Sequence, residues 1–150
     1  MEWKESYNTG IKEIDRQHHK LVDMISQLQD SLTDGLVNKE MGNVLKGLVD
    51  YTRSHFRDEE ALMQQIGFAE IATHKAAHEQ LISQLRDILI GLKEGRQLTA
   101  IELIDFLKKW LSEHILNEDM KLKEAFAERV KAARKDLDTP ALPENPEPEA

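Results

Sequence analysis

Residues 55–78 read HFRDEEALMQQIGFAEIATHKAAH, and the placing of polar residues among apolar ones in this stretch decides the fold. His55, Glu59, Leu62 and Ile66 recur at steps of three and four, the period of one helix face. The same face extends upstream through Leu45, Leu48 and Thr52. Gly67 follows and is well placed to end the helix in a left-handed conformation. The period then restarts at Ile71, His74, His78, Leu81, Leu85, Ile88 and Leu92, and Gly95 closes it. Two long helices joined by a few residues pack antiparallel. Both carry histidine or glutamate where a leucine would be ordinary.

Outward from this pair the pattern repeats. Ile11, Ile14, Leu21, Ile25, Leu28 and Leu32 mark a first helix over about 11–34, ending near Asp34 and Gly35, and His18 fills the one gap in its stripe. A fourth helix opens at Thr99, where Glu102 completes a capping-box pattern, and its stripe is Ile104, Leu107, Leu111 and His114. Beyond it, DMKLKEAFAERVKAARK (119–135) still reads as helix, so the fourth helix either continues past Asp119 or breaks there. DLDTPALPENPEPEA (136–150) is too rich in proline and acid to bury a core. The expectation is all-α: an up-down-up-down antiparallel four-helix bundle with a C-terminal helical extension over 1–135, and a disordered acidic tail over 136–150.

Composition agrees. The 150 residues, 40% apolar, make one domain with a real core, while 7 Gly, 4 Pro and 32% charged residues favour long helices over short strands. A net charge of −8 speaks against nucleic acid, whose phosphates need clustered Lys and Arg. No apolar run approaches the roughly 20 residues that span a bilayer, and MEWKESYN lacks the apolar region of a signal peptide. A cytoplasmic protein without membrane association is expected. With no cysteine, disulfides, iron–sulfur clusters and thiolate zinc sites are excluded, so any metal takes nitrogen and oxygen ligands.

Five of the six histidines, His18, His55, His74, His78 and His114, fall on the inward stripes. His19 sits beside its stripe and is expected to face solvent or the bundle edge. His55 with Glu59, and His74 with His78, are four apart and point about 40° from each other, so each pair can clasp one ion. His114 and Asp119 are five apart, about 140° on an unbroken α-helix; sharing a site then needs a bend or a long reach. One inward histidine is ordinary core. A buried Glu59, however, must be protonated, paired or metal-bound, and seven polar groups at one core level share a desolvation cost that a cation repays. Imidazole and carboxylate suit iron, with manganese and zinc as competitors, and seven ligands exceed one tetrahedral zinc. The Glu-x-x-His repeats of ferritin-like di-iron proteins are absent.

These segments, IDRQHHKL (14–21), HFRDEEALM (55–63), HKAAH (74–78) and WLSEHILNED (110–119), together with Trp3, resemble the hemerythrin family, and within it the single-domain bacteriohemerythrins, over about residues 3–122. The resemblance implies two non-haem irons with a bridging oxo or hydroxo group. It puts His74, His78 and His114 on one iron, His18 and His55 on the other, and Glu59 and Asp119 across both. It selects His18 over His19 and Asp119 over Glu118. Counting ligands then leaves one iron with six and the other with five, and the open position takes molecular oxygen. The implied function is reversible oxygen binding for storage or delivery, with no catalysis required. Two other functions fit the same ligand set: an oxygen or redox sensor read by a partner protein, and an enzyme-like turnover of peroxide or nitric oxide. Leu111, Trp110, Ile115 and Phe56 are expected to line the oxygen pocket, and Gln17 to accept a hydrogen bond from the outer N–H of a ligand imidazole.

Overall fold

The computed structural model describes residues 1–30 and 39–138. After a 3-10 turn at Glu5–Tyr7 come α1 (Lys12–Asp30), α2 (Lys39–Ile66), α3 (Ile71–Lys93), α4 (Ala100–Glu113), a π-helical turn at His114–Asp119 and α5 (Met120–Asp138). Among the described residues there is no strand. The four helices form the expected up-down-up-down bundle, with α5 as the C-terminal extension. α1 packs on α2 and α4, and α2 on α1, α3 and α5. Leu32, the expected helix end at Asp34 and Gly35, and the tail from 139 onward lie outside the described residues. α5 itself runs to Asp138.

The element ends follow their local chemistry. Gly67 and Gly95 have φ of 67° and 89°. Behind each glycine the chain closes on the helix: Phe68 N–H donates to the Met63 carbonyl and Arg96 N–H to that of Gly91, at 2.9 and 2.8 Å. Thr99 caps α4 as expected: its hydroxyl accepts from the Glu102 amide while the Glu102 carboxylate accepts from the Thr99 amide. At the start of α1, Asp15 reaches back to accept from the Thr9 amide, the Thr9 hydroxyl and the Gly10 amide. That contact ties the segment before α1 onto its first turn.

The core has two parts. The larger gathers Leu21, Ile25, Leu28, Leu45, Leu48, Leu85, Leu103, Leu107 and Leu111. The smaller joins Ile11, Ile14, Met63, Phe68 and Leu122 at the end where α5 meets α2. Two stripe assignments shift by one residue. Met63 is fully buried where Leu62 was expected, and Ile82 is buried more completely than Leu81. The buried polar residues include all five inward histidines, Glu59 and Asp119.

Candidate metal centre

α1 contributes His18, α2 contributes His55 and Glu59, α3 contributes His74 and His78, and the π turn contributes His114 and Asp119. Their potential ligand atoms form two groups, each gathered within 4.8 Å: His18, His55, Glu59, His114 and Asp119 in one, Glu59, His74, His78 and Asp119 in the other. Both carboxylates belong to both groups. The five-residue step between His114 and Asp119 is resolved by the backbone. A π turn bonds residue i to i+5, so residues five apart stack on one face where an α-helix would splay them.

The distances are those of a ligand cage. Glu59 Oε1 lies 3.0 Å from His74 Nε2 and 2.9 Å from His78 Nε2, and Oε2 lies 3.2 Å from His55 Nε2. Asp119 Oδ2 lies 2.7 Å from His18 Nε2 and 2.9 Å from His114 Nε2, with Oδ1 3.2 Å from His74 Nε2. Two ligands at right angles on an ion with bonds of about 2.1 Å stand about 3 Å apart, which matches. His18 Nε2 and His55 Nε2 also face each other at 3.1 Å.

Outer partners fix which ring nitrogen is left bare. His55 Nδ1 donates to Gln17 Oε1 at 2.7 Å, and the Gln17 amide donates in turn to Asp58 at 2.8 Å. His78 Nδ1 donates to Glu60 Oε2 at 2.8 Å. The Nε2 lone pairs of both rings therefore point at carboxylate oxygens, an arrangement that repels unless a cation lies between. Glu59 Oε2, both oxygens of Asp119 and both ring nitrogens of His114 are buried and, despite the short contacts, make no well-aligned hydrogen bond with the described residues. Buried polar atoms are rarely left so. The residues present fit a bound metal.

Protons fill the role in the metal-free chain. Burial pushes the His18 and His74 imidazoles down, yet the Asp119 and Glu59 carboxylates outweigh it and raise both to about 9. Burial holds His55 below its ordinary value despite Glu59. Burial also works to raise Glu59, but the surrounding imidazoles drive it well below the usual carboxylate range, and His114 and His18 take Asp119 down to about 2.

His19 is exposed and stacks on Trp3 at 3.6 Å, turned away from the centre. Leu111 and Ile115 are fully buried, and Phe56 and Trp110 nearly so. Phe56 lies parallel to the His78 ring at 3.8 Å and 4.9 Å from the His114 ring. The Gln17 expectation holds, with His55 of the next helix as its partner. Asp58 and Glu60 were missed: both lie off the inward stripe of α2, where periodicity carries no signal. The ligand atoms of His114 gather with those of His18 and His55, not with those of His74 and His78 as the resemblance implied; its ring lies 5.2 Å from that of His78, 6.3 Å from that of His74 and 5.7 Å from those of His18 and His55.

The hemerythrin family model, described as a hemerythrin HHE cation binding domain, matches residues 9–126. The chain belongs to the hemerythrin family. It is 35% identical over 130 residues to a bacteriohemerythrin of Stenotrophomonas maltophilia, covering 87% of this chain and 81% of that one. With a bacteriohemerythrin of Pseudomonas aeruginosa it shares 38% over 117 residues, 78% of this chain and 75% of the relative. A solved wild-type hemerythrin superposes with a TM-score of 0.71 at 32% identity, covering 81% of this chain and 93% of that one. A leucine-to-alanine variant of hemerythrin superposes with a TM-score of 0.74 at 29% identity, covering 83% and 95%. No described helix of this hemerythrin-family chain is long and apolar enough to cross a membrane.

Proposed function

We propose that the chain binds molecular oxygen reversibly at a non-haem di-iron centre, for storage or delivery. The observation that carries this reading is the pair of fully buried carboxylates, each shared between two groups of converging histidine nitrogens. In this reading His74, His78 and His114 would hold one iron and His18 and His55 the other, although His114 gathers with the latter pair in the metal-free cage, and Glu59 and Asp119 would be shared by both ions. Two ferrous ions supply the electron pair and the open coordination position that reversible oxygen binding uses.

The remaining work falls to the chain. Gln17 and Glu60 hold His55 and His78 with Nε2 toward the centre, so neither ring must turn or change tautomer when metal arrives. Leu111, Ile115, Trp110 and Phe56 wall the site with apolar surface and keep bulk water, the nearest source of protons, outside. Burial of every ligand leaves no exposed carboxylate to exchange its metal with solvent.

The test is elemental analysis with optical spectroscopy on protein loaded with ferrous iron without air. About two irons per chain and a visible band that appears with oxygen and disappears on its removal are expected. A single zinc under iron-replete conditions, or an irreversible change with oxygen, would exclude the reading.

A further inference from the structure

One face of the bundle carries a charge pattern that the centre does not use. Two depressions lie along α2 and α3; to one of them α2 presents Lys39 and Lys46, and to the other Arg53 and Arg57. Arg86 and Lys93 come from α3, and Arg96 from just beyond it. Steps of seven keep Lys39, Lys46 and Arg53 on one side of their helix, and Arg86 and Lys93 on one side of theirs. Among the described residues that line the two depressions, the acids are Glu60 and Glu79, in a chain whose net charge is −8.

The second depression, of about 490 Å³, adjoins the candidate metal centre: Arg53, Arg57 and Arg86 line it together with Phe56, Ile82 and His78. All three arginines are exposed, and none makes an ion pair or hydrogen bond with the described residues. His78, a candidate ligand, itself lines this depression, so only its ring would separate the surface from a bound metal. Its outer nitrogen is held by Glu60, whose side chain is 26% exposed. Phe56, Ile82 and His78 are themselves buried beneath the arginines, so the surface offered to a partner is mainly cationic, and unpaired arginines favour an acidic one.

We propose that this face docks an acidic one-electron carrier protein, which Arg53, Arg57 and Arg86 seat over Phe56 and His78. Its redox role rests on the di-iron reading; the docking rests on the charge pattern alone. An oxygen binder whose irons have both become ferric needs two electrons to recover. Each docked carrier gives one and leaves oxidised by one, two such events restore both ferrous ions, and one proton from solvent water converts a bridging oxo group to hydroxo.

The test uses the iron-loaded chain and a small acidic iron–sulfur protein as the probe, with calorimetry for binding and stopped-flow spectroscopy for reduction. The triple variant Arg53→Glu, Arg57→Glu, Arg86→Glu should bind and accept electrons at least about tenfold more weakly, and should lose the decline with added salt that the parent is expected to show. A control triple on α5, Arg129→Glu, Lys131→Glu, Arg134→Glu, changes the total charge equally and should shift neither quantity by more than about twofold. Reduction by the methyl viologen radical, a small cation, should not slow in either. Equal losses in both triples, or none in either, overturn the proposal. Should the first triple misfold by circular dichroism, the single variant Arg57→Gln gives the same comparison. Iron analysis of the same samples judges the di-iron reading separately, because calorimetry reads docking without electron transfer.

Discussion

Glu59 lies within 4 Å of all five inward histidines, with Oε1 toward His74, His78 and His114 and Oε2 toward His18 and His55. Replacing it, or Asp119, with alanine leaves buried imidazoles facing one another without a common counter-charge. Glu59→Ala and Asp119→Ala should each lose at least one metal ion per chain and melt at lower temperature, whereas His19→Ala should keep its full metal content. Metal analysis and thermal unfolding decide this, and loss of metal from the His19 variant would mean that the wrong member of the pair has been chosen. Leu111 has a different part. It is fully buried, one helical turn before His114, and contributes no polar atom. Leu111→Ala should cost about 2–5 kcal/mol of packing while leaving metal content intact. With less apolar surface shielding the centre from water, its oxygenated form should decay faster, as followed by the visible band; an unchanged decay would make Leu111 ordinary core.

At the scale of elements, the helices were legible because burial leaves a three-and-four signature in sequence, and because two glycines mark where helices end and a capping box where one begins. Thr99→Ala removes one half of that box and should lower stability by about 1 kcal/mol in chemical unfolding, with no change in metal content. The candidate ligands were legible for the same reason: a charged or imidazole side chain on an inward stripe breaks a rule that needs a compensating partner. What periodicity could not show was anything that depends on a neighbouring helix. The reach of Gln17 across to His55, the brace of Glu60 on His78, and the swap of Met63 for Leu62 are set by how helices lean together. The helix after Asp119 was undecided because α-geometry offered only continuation or a break, and the chain uses a third backbone.

For the molecule as a whole, metal and protons compete for one cage. His18 and His74, raised to about 9 from 6.5, stabilise the metal-free fold fully below about pH 6.5, and that contribution is lost as pH rises through 9. Asp119, lowered to about 2 from 3.8, contributes above pH 3.8 and is lost as pH falls through 2, with Glu59 acting in the same direction. The melting temperature of metal-free protein should therefore fall between pH 7 and 9.5, and that of the loaded protein should not. Loading iron at pH 7 should also release protons, one each from His18 and His74, measurable with an indicator dye in weak buffer. A metal-free melting curve flat across that range would show that these imidazoles carry no proton in the folded chain.

The π turn can also be read as a phase shifter. A helix advances about 100° per residue, so an unbroken run from His114 would bring Glu118 and Lys121 to the inner face. The turn takes up one additional residue, and the inner face falls instead on Asp119 and Leu122, while Lys121 is exposed. Choice of carboxylate and orientation of α5 are thus a single event, decided by one residue of slack. Removing Leu116, whose side chain is 43% exposed, should let the segment close into plain α-helix with Asp119 and Leu122 still inward, and metal and stability should survive. Adding one alanine after Leu116 has no turn left to absorb it. Everything beyond would rotate by about 100°, and metal content and melting temperature should both drop. Failure of the deletion together with success of the insertion would show that the turn holds the site by its own shape, independent of the phase it sets.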